Sequence, residues 1–263
     1  MADIAERIDF LASSTHRVEV LRALDDDGPL SRRTIQDRVD ASRSTVKRAL
    51  DGLAELDWVA ETDDGYVITP VGSAVLSAYA EFADAVRTAE SVAPVFRWLP
   101  ETDPDFDLRS LDDAEVVVAS EGDPYAPAIH QTELMQSVKR FRGLFPSIDR
   151  EGIRRVHDRI VAGHLEAEIV VSADVAATIR EEPYADLFRE PLATGRLSVS
   201  VVDEVPFHLG LPDDGSVQVG VEDDEGLPRA LLDTGDEAVR RWGKRRYEEY
   251  RSAATPLSED DFT

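Results

Sequence analysis

The chain has 263 residues, with 54 acidic against 29 basic side chains and a formal net charge of −25. Its 42% hydrophobic and 7% aromatic content suits a folded protein with room for two domains and excludes a disordered one. Having no cysteine, it has no disulfides, thiolate metal sites or cysteine nucleophiles, and no stretch approaches the ~18 consecutive apolar residues of a membrane span.

The N-terminus MADIAERIDF carries acids and alternating polarity where a secretory signal would place a basic region before an apolar run, so the protein is expected in the cytoplasm. Residues 4–12, 15–25, 31–39 and 43–56 each read as a short amphipathic helix, with Ser31 and Ser42 placed as N-caps whose hydroxyls accept an early helix N–H. A two-stranded ribbon follows, Trp58 to Glu61 and Tyr66 to Thr69, turned by Asp63-Asp64-Gly65, with Asp-Gly expected to supply a positive-φ pair. Helices followed by a hairpin make a winged helix-turn-helix pattern, predicted over residues 1–70.

A linker or dimerisation helix is predicted over 71–100. From about Pro70 to Ala93 its apolar or small residues Val75, Tyr79, Phe82, Val86, Ala89 and Ala93 are spaced 4, 3, 4, 3, 4. That period keeps one seam against a partner helix, either in a second subunit or in the chain's own second domain. Residues 101–123 then hold nine acids (Glu101, Asp103, Asp105, Asp107, Asp112, Asp113, Glu115, Glu121, Asp123) and one base, Arg109, and read as a connector and domain entry. Beyond it the strand-like runs AEVVVAS, GLFPSI, AEIVVSA and RLSVSVV alternate with helices near 128–140, 150–163 and 174–190. FHLGLP, SVQVGV and PRALLD look like antiparallel strands before a final helix at about 235–252. The fold class is therefore α+β to α/β: an N-terminal winged helix-turn-helix, a linker helix, and a mixed-sheet α/β domain over 101–255, with 256–263 as a tail.

On a helix beginning at Arg43, the residues Val46, Leu50, Leu53 and Leu56 form one apolar stripe, leaving Arg43, Ser44, Lys47 and Arg48 on the other face. Residues 31–50 hold six bases (Arg32, Arg33, Arg38, Arg43, Lys47, Arg48) and two acids, a local +4 in a chain that is otherwise −29. Folding does not require that reversal, whereas a helix entering the major groove does: phosphates demand cations, and base edges are read by Arg, Lys and Ser near the helix start. Double-stranded DNA is the expected partner, contacted by Arg32, Arg33, Ser42, Arg43, Ser44, Thr45, Lys47 and Arg48. The acidic wing turn, with Glu61, Asp63 and Asp64, is expected to stay off the phosphates. A second basic cluster, Arg240 to Arg251, holds six bases and two acids; it reads as structural, with an auxiliary nucleic-acid patch as the alternative.

Motifs for catalysis are missing: no G-x-G-x-x-G after a strand, no Walker A, no G-x-S-x-G, no H-E-x-x-H. The alternation Asp103, Asp105, Asp107 fails as a calcium loop, because Leu108 and Ala114 stand where glycine and glutamate belong. His130, His157, His164 and His208 are too far apart for a local metal motif. No catalytic residue, metal or cofactor is expected, and the protein is read as a non-enzyme. The loop from Gly122 to Pro127 follows a strand and opens a helix, the place where open α/β sheets hold ligands. A small-molecule effector site is expected there, built from Tyr125, His130, Arg140, Arg142 and His208.

The segment SRSTVKRALDGLAELDWV resembles the recognition-helix region of archaeal winged helix-turn-helix regulators. VAPVFRWLP, EGDPYAPAIH, FRGLFPSI, VVDEVPFHLGLPDDGSVQVGV and EAVRRWGKRRYEEYRSAA together resemble the C-terminal domain of the methanogenesis regulatory protein family, found widely in haloarchaeal regulators. The likeness covers roughly residues 10–253. It implies a DNA-binding transcriptional regulator, a homodimer whose C-terminal domain senses a ligand or mediates assembly, with recognition positions at Ser42, Arg43, Ser44, Thr45, Lys47 and Arg48. The excess of acids, with only three lysines among 29 bases, likewise resembles proteins of salt-accumulating haloarchaea. Self-repulsion among the carboxylates is expected to loosen the fold in dilute buffer and to be screened by molar salt. The alternatives left open are an enzyme with an N-terminal helical dimerisation domain, as in some methyltransferases, and a protein-interaction adaptor that no longer binds DNA.

Overall fold

In a computed structural model, which describes residues 3–100 and 104–262, the chain divides into two compact units, Met1–Asp84 and Ala85–Thr263. Glu101 and Asp103 of the acidic connector lie outside the described residues.

The first unit is built from α1 (Ile4–Ala12), α2 (Thr15–Asp27), α3 (Arg32–Arg38), α4 (Arg43–Glu55), the strands β1 (Val59–Thr62) and β2 (Gly65–Ile68), and the first part of α5 (Pro70–Phe96). Its core gathers Leu21 and Leu24 of α2, Ile35 of α3, Val46, Leu50 and Leu53 of α4, Trp58 and Leu76. Burying each such side chain stabilises the unit by about 1.5–3 kcal/mol. The hydroxyls of Ser31 and Ser42 accept the N–H of Thr34 and Thr45, capping α3 and α4 as expected.

The ribbon departs from expectation at its turn. Thr62 pairs with Gly65, so the loop is Asp63-Asp64, and of the turn residues only Gly65 has a positive φ (124°). The glycine is required by a neighbour: Leu30 forms a bridge with Tyr66, and a Cβ on Gly65 would stand 2.6 Å from the Leu30 carbonyl oxygen. A third short strand segment thus docks on the ribbon.

The second unit comprises the end of α5, β3 (Glu115–Val118), α6 (Ala126–Leu134), β4 (Arg140–Phe145), α7 (Arg150–Val161), β5 (Glu166–Ser172), α8 (Ala173–Ile179), α9 (Ala185–Ala193), β6 (Leu197–Val202), β7 (His208–Pro212), β8 (Val217–Glu222), β9 (Pro228–Thr234), α10 (Glu237–Ala253) and β10 (Thr255–Pro256). They form one eight-stranded sheet in the order β10-β6-β5-β4-β7-β8-β9-β3. Among the described residues only β4, β5 and β6 pair in parallel. Antiparallel pairing is therefore not confined to an edge: it spans the half from β4 to β3, and β3 joins β9 at the far rim. The βα alternation from β4 to β6 produces the parallel trio, because parallel neighbours need a crossover helix and the later hairpins do not.

The helix expected near 128–140 ends at Leu134, and the next strand begins at Arg140, ahead of the GLFPSI run that marked it. RFRGLF alternates faces, and Pro146, lacking an N–H, ends the strand. One sheet face packs Leu144, Leu209, Val219 and Leu232 against Val92 and Val95 of α5 and Trp242 and Tyr247 of α10. The other packs Phe141, Val171 and Val199 against Ile160 of α7, Ile179 of α8 and Phe188 of α9. The expected tail belongs to this second core, since Thr255-Pro256 pairs with β6 and the buried Phe262 stacks on Phe188 at 6.0 Å.

Candidate nucleic-acid interface

Along α4, Val46, Ala49, Leu50 and Leu53 are buried, while Arg43, Ser44, Lys47 and Arg48 are exposed on the opposite side. A helix N-terminus is the positive end of the macrodipole and favours acids. Five of the other described α-helices obey, with Glu6, Glu151, Asp174, Asp186 and Glu237 in first turns, while α2, α5 and α6 carry no acid there. In α3 and α4 the first turn carries no acid, and Arg32, Arg33 and Arg43 stand there instead. Cations at these two N-termini oppose the helix dipole.

The individual cations differ in freedom. Arg33 and Arg43 are exposed and make no ion pair or hydrogen bond among the described residues. Lys47 lies 2.9 Å from Asp51, with side chains 61% and 51% exposed; such an exposed i,i+4 pair is worth about 0.3–0.5 kcal/mol and yields readily to a phosphate. Arg48 donates from Nε to the Ser44 carbonyl of its own helix. Arg32 is tethered to the ribbon, donating to the Tyr66 hydroxyl at 2.5 Å with its guanidinium 5.6 Å from that ring; the hydroxyl bond raises its pKa further above the ordinary arginine range. Ser42 and Thr45 are engaged locally, because the Ser42 hydroxyl caps α4 and meets the Ser44 and Thr45 hydroxyls at 2.9 Å. Glu61, Asp63 and Asp64 are exposed at the ribbon tip.

The second basic cluster is mostly tied down. Arg240 donates to the Ser216 and Pro212 carbonyls, Arg245 pairs with Asp105, Arg246 with Glu249 and Arg251 with Glu168.

The expected effector residues do not all converge. Tyr125 and His208 line one cavity on the sheet face covered by α6, α7 and α9. Arg142 lies on the opposite face, pairing with Glu248 and lying 5.4 Å from the Tyr247 ring, and Arg140, two residues earlier on β4, shares its side. His130 Nε2 is buried without a hydrogen bond among the described residues, 3.8 Å from a Glu115 oxygen, outside the cavity lining. Strand alternation is the reason: Phe141 and Phe145 take the cavity side of β4, which leaves the arginines the other. The sequence reading missed Ser147 and Glu222, whose oxygens meet the His208 ring from loop and strand positions that carry no motif. Among the described residues no group of three or more His, Asp or Glu is arranged to hold a metal, and no helix is long and apolar enough to cross a membrane.

No curated protein gives a significant match to the chain. Among solved structures, TrmBL2, an archaeal chromatin protein described as showing a novel mode of DNA binding, is 12% identical over 97% of this chain and 100% of its own, with a TM-score of 0.42. Nuc, a phospholipase D family member from Salmonella typhimurium, is 8% identical over 55% of this chain and 99% of its own, at a TM-score of 0.44. NucT from Helicobacter pylori is 11% identical over 55% and 98%, at 0.41. The sequence profile of the HVO_A0261 N-terminal domain matches residues 5–91, and that of the middle domain of the methanogenesis regulatory protein FilR1 matches residues 124–253. The chain is thus similar to the HVO_A0261 N-terminal domain over its first third and to the FilR1 middle domain over just under half of its length.

Proposed function

We propose that the protein is a sequence-specific DNA-binding transcriptional regulator whose α4 enters the major groove. The observation that carries this reading is the N-terminal half of α4, where exposed cations crowd the positive end of a helix dipole in a chain of net charge −25. Arg43 and Lys47 read base edges, Arg33 and Arg48 neutralise phosphate, and Arg32 presents its free N–H groups while Tyr66 holds it. The match to the middle domain of a methanogenesis regulatory protein supports a regulator. The second unit, within 101–255, senses an effector or mediates assembly.

The active form is a homodimer paired along α5. Phe82 is 61% exposed and Val86 40%, and Ala89 and Ala93 continue the same stripe on the exposed side. A second copy of that stripe covers it, and two α4 helices about one DNA turn apart then read a pseudo-palindrome.

The test is selection of duplexes from a random library in molar KCl, followed by anisotropy titration of the enriched sequence. Arg43→Ala and Lys47→Ala are each expected to weaken binding by about 1–3 kcal/mol where they touch a base. Binding left unchanged by the double substitution overturns the assignment.

A further inference from the structure

The geometry points to a binding site in the second unit for a small, uncharged, mainly apolar molecule carrying one hydroxyl or N–H group. The cavity between the sheet and α6, α7 and α9 has a volume of about 380 Å³, within the range of small-molecule sites. Its walls are Phe141, Phe145, Ile153, Val156 and Leu231, with Tyr125 and Leu227 partly exposed at the surface. A site so lined does not hold water well. None of its described lining residues is Lys or Arg, while the carboxylates of Asp149 and Glu222 stand in it beside His157 and His208, so the lining disfavours an anion such as a nucleotide or a free phosphate.

The polar groups set the ligand's handle. Glu222 Oε1 lies 2.7 Å from His208 Nε2 and also accepts from the Ser147 hydroxyl. The carboxylate can only accept, so Nε2 carries the hydrogen. Serine and acid therefore meet the same ring nitrogen, which is not the relay of a hydrolase, where they occupy opposite nitrogens. Glu222 fixes the ring and leaves Nδ1 facing no partner; this atom and the Gln131 amide nitrogen are buried without hydrogen bonds among the described residues. Gly220 makes room for the ring, since a Cβ there would lie 3.0 Å from His208 Cβ. In the neutral imidazole Nδ1 is an unpaired acceptor, which a ligand hydroxyl or N–H group satisfies by donating, while the Gln131 amide can be met by a hydroxyl oxygen.

This site deepens the effector-sensing reading and rests on it for its biological sense, but its test uses no DNA and fails separately. The probe is N-phenyl-1-naphthylamine, which is neutral and carries one N–H, set against 8-anilino-1-naphthalenesulfonate, the same framework bearing a sulfonate. In molar KCl the full chain is expected to bind the neutral probe saturably at one site and to refuse the anion. Ala128→Trp, on the α6 wall, is expected to lower affinity for the neutral probe at least tenfold with the circular dichroism melt unchanged. Should that variant not fold, Thr132→Phe fills the same wall. Absence of saturable binding, equal affinity in a folded filled-wall variant, or one-for-one displacement by the sulfonate overturns the site.

Discussion

Arg43 and Ser42 are adjacent on the chain but do different work, and substitution separates them. Ser42 closes the N-terminus of α4 through the Thr45 N–H at 3.2 Å, so Ser42→Ala is expected to lower stability by about 0.5–2 kcal/mol. Arg43 is exposed and makes no hydrogen bond or ion pair among the described residues, so Arg43→Ala is expected to leave the unfolding free energy within about 0.5 kcal/mol of the parent while weakening DNA binding. Chemical denaturation beside anisotropy reads both; loss of stability on removing Arg43 would give it a structural role. Gly65 is the other residue whose identity is forced. With φ at 124° and the Leu30 carbonyl 2.6 Å from an added Cβ, Gly65→Ala is expected to destabilise the first unit by about 2 kcal/mol or more. A silent Gly65→Ala in the same denaturation experiment would mean that the ribbon does not hold Leu30.

At the scale of elements, legibility followed periodicity. The stripe Val46, Leu50, Leu53 and its capping serine made α4 readable because burial and capping leave local marks. The run RFRGLF did not reveal that Arg142 faces α10 while Phe141 and Phe145 face the cavity, because the phase of a strand shows only once its neighbours are placed. Nor does AEVVVAS say that β3 pairs with β9 at the far rim, a choice made by tertiary packing. The loop from β8 to β9, by contrast, sets the charge of one of its carboxylates through its own near neighbours. Asp223 is held below the usual carboxylate range, first by the Leu227 N–H, then by the Glu225 N–H and Arg229, against an opposing effect of desolvation. A depressed folded-state pKa contributes stability that is present above about pH 4 and lost as pH falls through the folded value. Burial pushes Asp233 of β9 the other way, so its ionisation opposes folding as pH rises from about 4. Melts at pH 5 and pH 3 are therefore expected to drop less for Asp223→Asn than for the parent; an equal drop would mean that the loop carboxylate is not coupled to folding. If the parent is a dimer paired along α5, Phe82→Glu with Val86→Glu is expected to halve the mass seen by light scattering without shifting the melt, and an unchanged mass would overturn that pairing.

For the whole molecule the governing quantity is the charge of −25, set against a +4 patch over residues 31–50. Two salt responses of opposite sign follow. Carboxylates spread over the surface repel at low ionic strength, where the Debye length is about 10 Å at 0.1 M, and are screened as it falls to about 3 Å at 1 M. The unfolding midpoint is expected to climb by several degrees between those concentrations of KCl, at about 2–4 °C for each kcal/mol of relieved repulsion, and then to level off. Phosphate contacts respond in the other direction, because added salt removes the entropy gained when counterions leave the duplex. Binding to random duplex is therefore expected to fall steeply over the same range, while binding to a selected site, held also by hydrogen bonds from Arg43 and Lys47, falls less. The two curves cross into a working window in which the fold is intact and only specific sites are occupied. A midpoint flat from 0.1 to 2 M KCl would mean that the acids are not opposing the fold, and equal salt slopes for random and selected duplexes would mean that α4 reads no bases.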